Sequence, residues 1–231
     1  RVLQEAAHKD VPLLERLRFI GIFSNNLDEF FQVRFATVQR IAQSEMTGKK
    51  IFGGQSASDL LKSITKKVIE QQKESSQILT SIEKELEKEQ IYLINENQVL
   101  AEHEAFLKEY FIQKVSPALM TIVVSEDENQ DFYDHLAFLA VKLRFQENDT
   151  EKTQYALIEL PTDLDRFVVL PNLGEKQYVM FLDDLIRYHF HLIFNFFEFT
   201  HIESHMIKVT RDAELDMEGD VSKSYINKIV E

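Results

Sequence analysis

A chain of 231 residues, 44 % apolar and 28 % charged, is large enough to bury one good core or two modest ones, and its composition excludes a disordered polymer. It has no cysteine, which excludes disulfides and thiolate metal sites. The formal charge of -13 argues against broad nucleic-acid binding; residues 1–50 hold eight Lys or Arg against six Asp or Glu and the remainder 18 against 33, so any phosphate contact must come from a local basic cluster.

Residues 1–47 read as helix with one break. Leu13, Leu14, Leu17, Ile20, Leu27, Phe30, Phe31, Val33, Val38 and Ile41 recur at helical spacing, and Pro12 suits a first turn. Gly48 and Gly53-Gly54 place a loop before a second helix over about 57–89, capped by Ser56 or Ser58. Its apolar stripe (Leu61, Ile64, Val68, Ile78, Ile82, Leu86) is interrupted by Gln71, Gln72, Ser75 and Ser76, which disfavours a long coiled coil.

After residue 89 the period changes. Residues 91–95 form a short extended run, a helix spans 102–115 and stops near Pro117, and strands are expected at 136–145, 155–160, 167–170 and 205–209. In the first of these, Ala140, Lys142 and Arg144 alternate with Val141, Leu143 and Phe145, the period of a half-exposed strand. Between the last two strands, Phe181 to Phe199 reads as one apolar helix whose phenylalanines belong to a core. The expected fold class is therefore α+β: an all-helical amino-terminal domain, 1–88, followed by a mixed head domain, 89–231, that is truncated.

The segment from Arg16 to Arg34 is the richest. Gly21 and Ser24-Asn25-Asn26 suggest a helix interruption, and Asn26 with Glu29, or Asn25 with Asp28, have capping-box spacing. A second reading is open: a carboxamide presents a donor and an acceptor side by side, matching the N6 and N7 edge of adenine, and Arg16, Arg18 and Arg34 supply fixed positive charge for phosphate oxygens.

The blocks Val2-Leu3-Gln4-Glu5-Ala6, Pro12 to Phe19, Gly21 to Phe31 and Gln90 to Glu96, then Leu139 to Leu143, Tyr155 to Pro161 and Lys208 to Glu214, occur in an order that resembles the larger, phosphohistidine-forming polyphosphate kinase family. Ser-Asn-Asn-Leu-Asp-Glu-Phe is the specific block. The resemblance implies a helical amino-terminal domain and a head domain ahead of two catalytic domains similar to phospholipase D. It implies reversible transfer of the terminal phosphate of ATP to inorganic polyphosphate, with magnesium and the phosphorylated histidine in the later domains. It further implies that Asn26 contacts adenine and that the protein is a homodimer or higher homo-oligomer. No catalytic residue carries over. The family's usual Trp-containing opening does not precede Arg1, and 121–135 match loosely.

Arg211, in Thr210-Arg211-Asp212-Ala213-Glu214, reads either as a strand-end surface pair or as a channel or interface residue. His189, His191, His201 and His205 lack a convincing acidic partner and are expected to pack rather than bind metal. Arg1, Glu5, His8 and Lys9 do not read as a signal peptide, and no apolar run reaches the roughly 20 residues of a bilayer span. The chain is expected to start inside a longer polypeptide, to end in a helix cut short, and to be cytoplasmic or peripheral to the inner membrane face. The competing expectation is a non-enzymatic helical module that serves assembly.

Overall fold

The computed structural model describes residues 1–43, 55–124, 136–147, 150–196 and 198–208. The order is α1 (Val2–Ala7), α2 (Leu13–Glu29), a π-helical stretch (Phe30–Phe35), α3 (Ala36–Gln43), α4 (Ala57–Lys88), β1 (Ile91–Ile94), α5 (Ala101–Tyr110), β2 (Met120–Val124), β3 (Ala137–Glu147), β4 (Thr150–Glu159), β5 (Phe167–Leu173), β6 (Lys176–Phe181), α6 (Leu182–Tyr188), α7 (Phe190–Ile193) and β7 (Phe199–Lys208). Helices precede two sheets, one mixed and one antiparallel, so the chain is α+β in the expected order. Its described residues separate into two compact units, one built on Arg1–Gly21 and residues 72–208, the other on Ile22–Gln71.

The first unit holds both sheets. In one, β1 pairs parallel to β6, and β6 pairs antiparallel to β5. The β5–β6 turn needs a left-handed residue, and Gly174 supplies it at φ 64°. The second sheet is antiparallel throughout, in the order β2-β4-β3-β7. Its inward face takes Leu139, Val141 and Leu143 from β3 and Ala156 and Ile158 from β4, while Lys142 and Arg144 stay half-exposed, as the alternation predicts. These residues share one core with Leu107, Phe111 and Val115, with Val168, Leu170 and Met180, and with Leu182, Leu185 and Ile186. Helix α5 relaxes into a π-helical turn over Phe111–Val115 and ends in a 3-10 turn, Ser116–Ala118, where Pro117 removes a donor.

Three expectations need correction. The apolar segment 181–199 is not one helix. His189 at φ -101°, ψ 17° separates α6 from α7, and Phe199 already belongs to β7. Phe190 and Phe194 are buried, but Phe196 is 92 % exposed. The strand expected at 205–209 is, over its described residues 205–208, the far part of a ten-residue strand, and 209 lies outside the described residues. Strands β2 and β6 were not expected: Met120–Val124 is a short apolar run of ambiguous period, and β6 flows into apolar α6 without a turn residue between them.

In the second unit, Ser56 caps α4 reciprocally, its Oγ accepting from the Asp59 amide at 3.1 Å and donating to Asp59 Oδ2 at 2.7 Å. Val38, Ala57 and Val68 are buried. The π-helical stretch carries an aromatic run, with Phe31 against Phe30 at 5.8 Å and against Phe35 at 4.8 Å between ring centroids.

Candidate functional site

Helix α2 passes through Gly21 and Ser24-Asn25-Asn26 without interruption. The capping reading is thereby corrected: Asn26 is an interior helical residue whose own amide belongs to the helix, and the departure from α geometry falls later, at Phe30–Phe35. Gly21 meets no tight packing either, since a Cβ there would touch nothing within 4 Å.

Asn26 is exposed and lines a groove of about 280 Å³ within the second unit. Phe23, Leu27 and Phe30 form one wall with it; Ile64, Lys67, Val68 and Gln71 of α4 form the other. Helical spacing explains both walls. Residues 23, 26 and 27 of α2 and Phe30, which opens the π-helical stretch, are spaced along one helical face, and 64, 67, 68 and 71 along one face of α4. The lining is mainly apolar and aromatic, and its polar side chains are two carboxamides and one ammonium. Among the described residues neither Asn26 nor Gln71 has a side-chain hydrogen-bond partner, whereas Lys67 Nζ lies 3.3 Å from Glu70 Oε2 in an exposed pair. A groove of this kind can hold a flat heteroaromatic ring between apolar walls and address its edge with paired donors and acceptors.

The arginines expected beside Asn26 are placed differently. Arg16 is buried: its Nη1 donates to Glu85 Oε2 at 2.8 Å and its Nε to the Ala6 carbonyl at 2.8 Å. That guanidinium ties α1, α2 and α4 together and has no exposed face for phosphate. The partner's carboxyl is held below the usual carboxylate range, first by the hydrogen bond from Arg16. Arg18 is exposed and pairs with Glu15 at 2.9 Å. Arg34 is exposed on the π-helical stretch. Arg211 lies outside the described residues. The basic group at the groove is instead Lys67, which sequence reasoning missed together with Gln71, Phe23 and Phe30. One signal was present: the glutamines that break the apolar stripe of α4 begin at Gln71.

Two histidines have packing roles. His189 is buried, stacks on Phe111 with centroids 4.3 Å apart, and its Nδ1 lies 2.9 Å from the Leu185 carbonyl; burial pushes its pKa down. His103 is buried with Nε2 2.9 Å from the Pro171 carbonyl. Asp184 has its pKa raised to about 6, by burial first and the neighbouring Asp183 next, against the pull of Arg187, whose Nη1 donates to it at 2.6 Å. Arg187 also reaches Asp183 and Ser204, which makes this a structural network inside the first unit. Among the described residues no group of three or more His, Asp or Glu side chains is gathered to hold a metal ion, and no helix is long and apolar enough to cross a membrane.

The chain is an α+β protein whose leading helices frame an apolar groove edged by carboxamides. Comparison with known proteins makes the assignment specific. Residues 1–94 match the polyphosphate kinase N-terminal domain and residues 102–231 the polyphosphate kinase middle domain, so the chain belongs to the polyphosphate kinase family. The polyphosphate kinase of Vibrio parahaemolyticus is 37 % identical over 236 residues, covering 99 % of this chain and 33 % of that protein. That of Escherichia coli K12 is 37 % identical over 231 residues, covering 97 % and 32 %. The crystal structure of polyphosphate kinase from Porphyromonas gingivalis superposes with a TM-score of 0.79 at 33 % identity, over 93 % of this chain and 31 % of that one. The chain thus spans about a third of the length of the relatives it matches.

Proposed function

We propose that this chain is the nucleotide-engaging amino-terminal part of an ATP:polyphosphate phosphotransferase, with residues 1–88 as a helical domain and 89–231 as the head. The observation that carries the reading is the unpartnered carboxamide of Asn26 at the edge of an aromatic groove, on a helix that has no need of it as a cap. A volume of about 280 Å³ sits near the lower end of small-molecule sites. That suits a purine base and leaves ribose and phosphates outside. Phe23 and Phe30 line the groove, and base–aromatic stacking, where it forms, is worth about 1–3 kcal/mol per base. Asn26 then donates to N7 of adenine and accepts from N6.

This chain's part of the mechanism is binding and orientation. Holding the base fixes where the triphosphate points, and positioning is most of what phosphoryl transfer asks of a protein. Arg18 and Arg34 are the exposed arginines proposed to add positive potential for phosphate, with Arg211 proposed for the channel or a subunit interface; Arg16 is withdrawn from that set because its guanidinium is committed to Glu85 and Ala6. Magnesium, when bound, neutralises phosphate charge; its ligands and the phosphorylated histidine belong to domains beyond this chain in the proposal. Polyphosphate, those catalytic domains and a second copy of the chain are its proposed partners.

The test is Asn26→Ala in the full-length polypeptide. It should raise KM for ATP about tenfold, the loss of one good pair of hydrogen bonds, with kcat little changed. An unchanged KM, or a collapse of the melting temperature, would return Asn26 to a structural role.

A further inference from the structure

The groove has a second carboxamide whose task the adenine reading leaves open. Gln71 projects from α4, one turn beyond Lys67 and two beyond Ile64, into the same groove that Asn26 lines from α2. It is half-buried among Ile64, Val68, Phe30 and Leu27, and its side chain has no hydrogen-bond partner among the described residues. A half-buried amide of this kind, surrounded by apolar walls, costs free energy unless a ligand satisfies it. Adenine has groups for two readers. The exocyclic N6 carries two hydrogens, one toward N7 and one toward N1, and both ring nitrogens accept.

We propose that Gln71 is a second base-reading residue, its Nε2 donating to N1 of adenine and its Oε1 accepting the N6 hydrogen that Asn26 does not use. This rests on the adenine reading of the groove and adds a residue and an edge to it. The two carboxamides approach from different helices, so together they grip N7, N6 and N1 around one side of the ring. A base lacking either ring nitrogen loses one contact and keeps the other.

The experiment is equilibrium binding to the full-length polypeptide, using ADP, 1-deaza-ADP and 7-deaza-ADP so that no phosphate is transferred. The wild type should bind each deaza analogue about three- to tenfold more weakly than ADP, the usual worth of one net hydrogen bond. In Gln71→Ala the penalty for 1-deaza-ADP should vanish while that for 7-deaza-ADP persists; in Asn26→Ala the pattern should reverse. Gln71→Glu keeps the size of the side chain and removes the donor, so it should bind 1-deaza-ADP at least as tightly as ADP, an inversion that no loss of packing produces. If both Gln71 variants discriminate against 1-deaza-ADP as the wild type does, while Asn26→Ala still abolishes the 7-deaza penalty, Gln71 is not a reader and the adenine site stands. If neither residue alters any of the three affinities, the adenine reading falls and the role of Gln71 with it.

Discussion

An asparagine in a solvent-facing helix interior is about half a kcal/mol less favourable than an alanine, and Asn26 occupies such a position. Replacing it should leave folding stability unchanged or slightly raised, which separates the binding effect proposed above from any structural one. Arg16 shows the opposite balance. Its side chain is 3 % exposed, while that of Glu85 is 32 % exposed, so the two ends of one ion pair differ in what their loss leaves behind. Glu85→Ala strands a buried guanidinium, and removing one partner of a buried pair costs about 3–5 kcal/mol; partial exposure of the pair places the expected loss near the lower figure. Arg16→Met leaves a carboxylate that reaches water and an aliphatic chain that still packs, so it should cost less. Because the Glu85 pKa is depressed on folding, the pair's contribution is fully present above the ordinary carboxylate value of 4.5 and is lost as pH falls through the lower folded value. Urea denaturation of the two variants at pH 7 and pH 4 checks both statements. A larger loss from Arg16→Met at pH 7 would show that the guanidinium is the indispensable end of the pair and Glu85 the expendable one.

At the scale of elements, the chain's periodicity carried the main features. The capped start of α4 at Ser56, the alternation of β3 and the helix that ends near Pro117 all lie in local residue patterns. What was not legible follows from context. Gly21 and Ser24-Asn25-Asn26 read as a break because their propensities favour one, yet α2 runs through all four residues, since single-residue propensities of under about 1 kcal/mol are a weak guide inside a longer cooperative helix. The groove needed two helices far apart in sequence, so Asn26 could be singled out alone but Gln71 and Lys67 could not. Burial of Arg16 was equally invisible, since its partner lies 69 residues away. One further element carries a prediction. The turn that follows α4 holds Gln90 in the left-handed region at φ 63°, its amide bonded back to the Glu87 carbonyl at 3.1 Å, a position where glycine is the usual residue. A side chain there is strained by about 1 kcal/mol, so Gln90→Gly should raise the melting temperature by a few degrees, less whatever glycine gains in unfolded-state freedom. A lowered melting temperature would mean that the Gln90 side chain contributes more than its backbone strain removes.

For the whole molecule the governing quantities are charge and coverage. The chain carries a formal -13, and a long polyanion is repelled by such a field unless a basic channel overrides it. The family relatives are about three times as long, and the described residues gather no metal-holding carboxylates. The base recognition proposed for Asn26 and its neighbours would place a nucleotide but would not neutralise the charge that moves in phosphoryl transfer, which is the larger part of that catalysis. The isolated 231-residue chain should therefore bind ADP weakly and make no polyphosphate. The check is to incubate it with ATP, magnesium and a polyphosphate primer and to follow label from the γ-phosphate into acid-insoluble polymer, with the full-length polypeptide alongside. Synthesis that scales with the concentration of the isolated chain, and that survives repurification, would place transfer chemistry within these residues and overturn the division of labour proposed here. Nucleotide binding without synthesis, weakened about tenfold by Asn26→Ala, is the expected result, because the groove lies wholly within Ile22–Gln71 while the charge-neutralising groups are proposed to come from elsewhere.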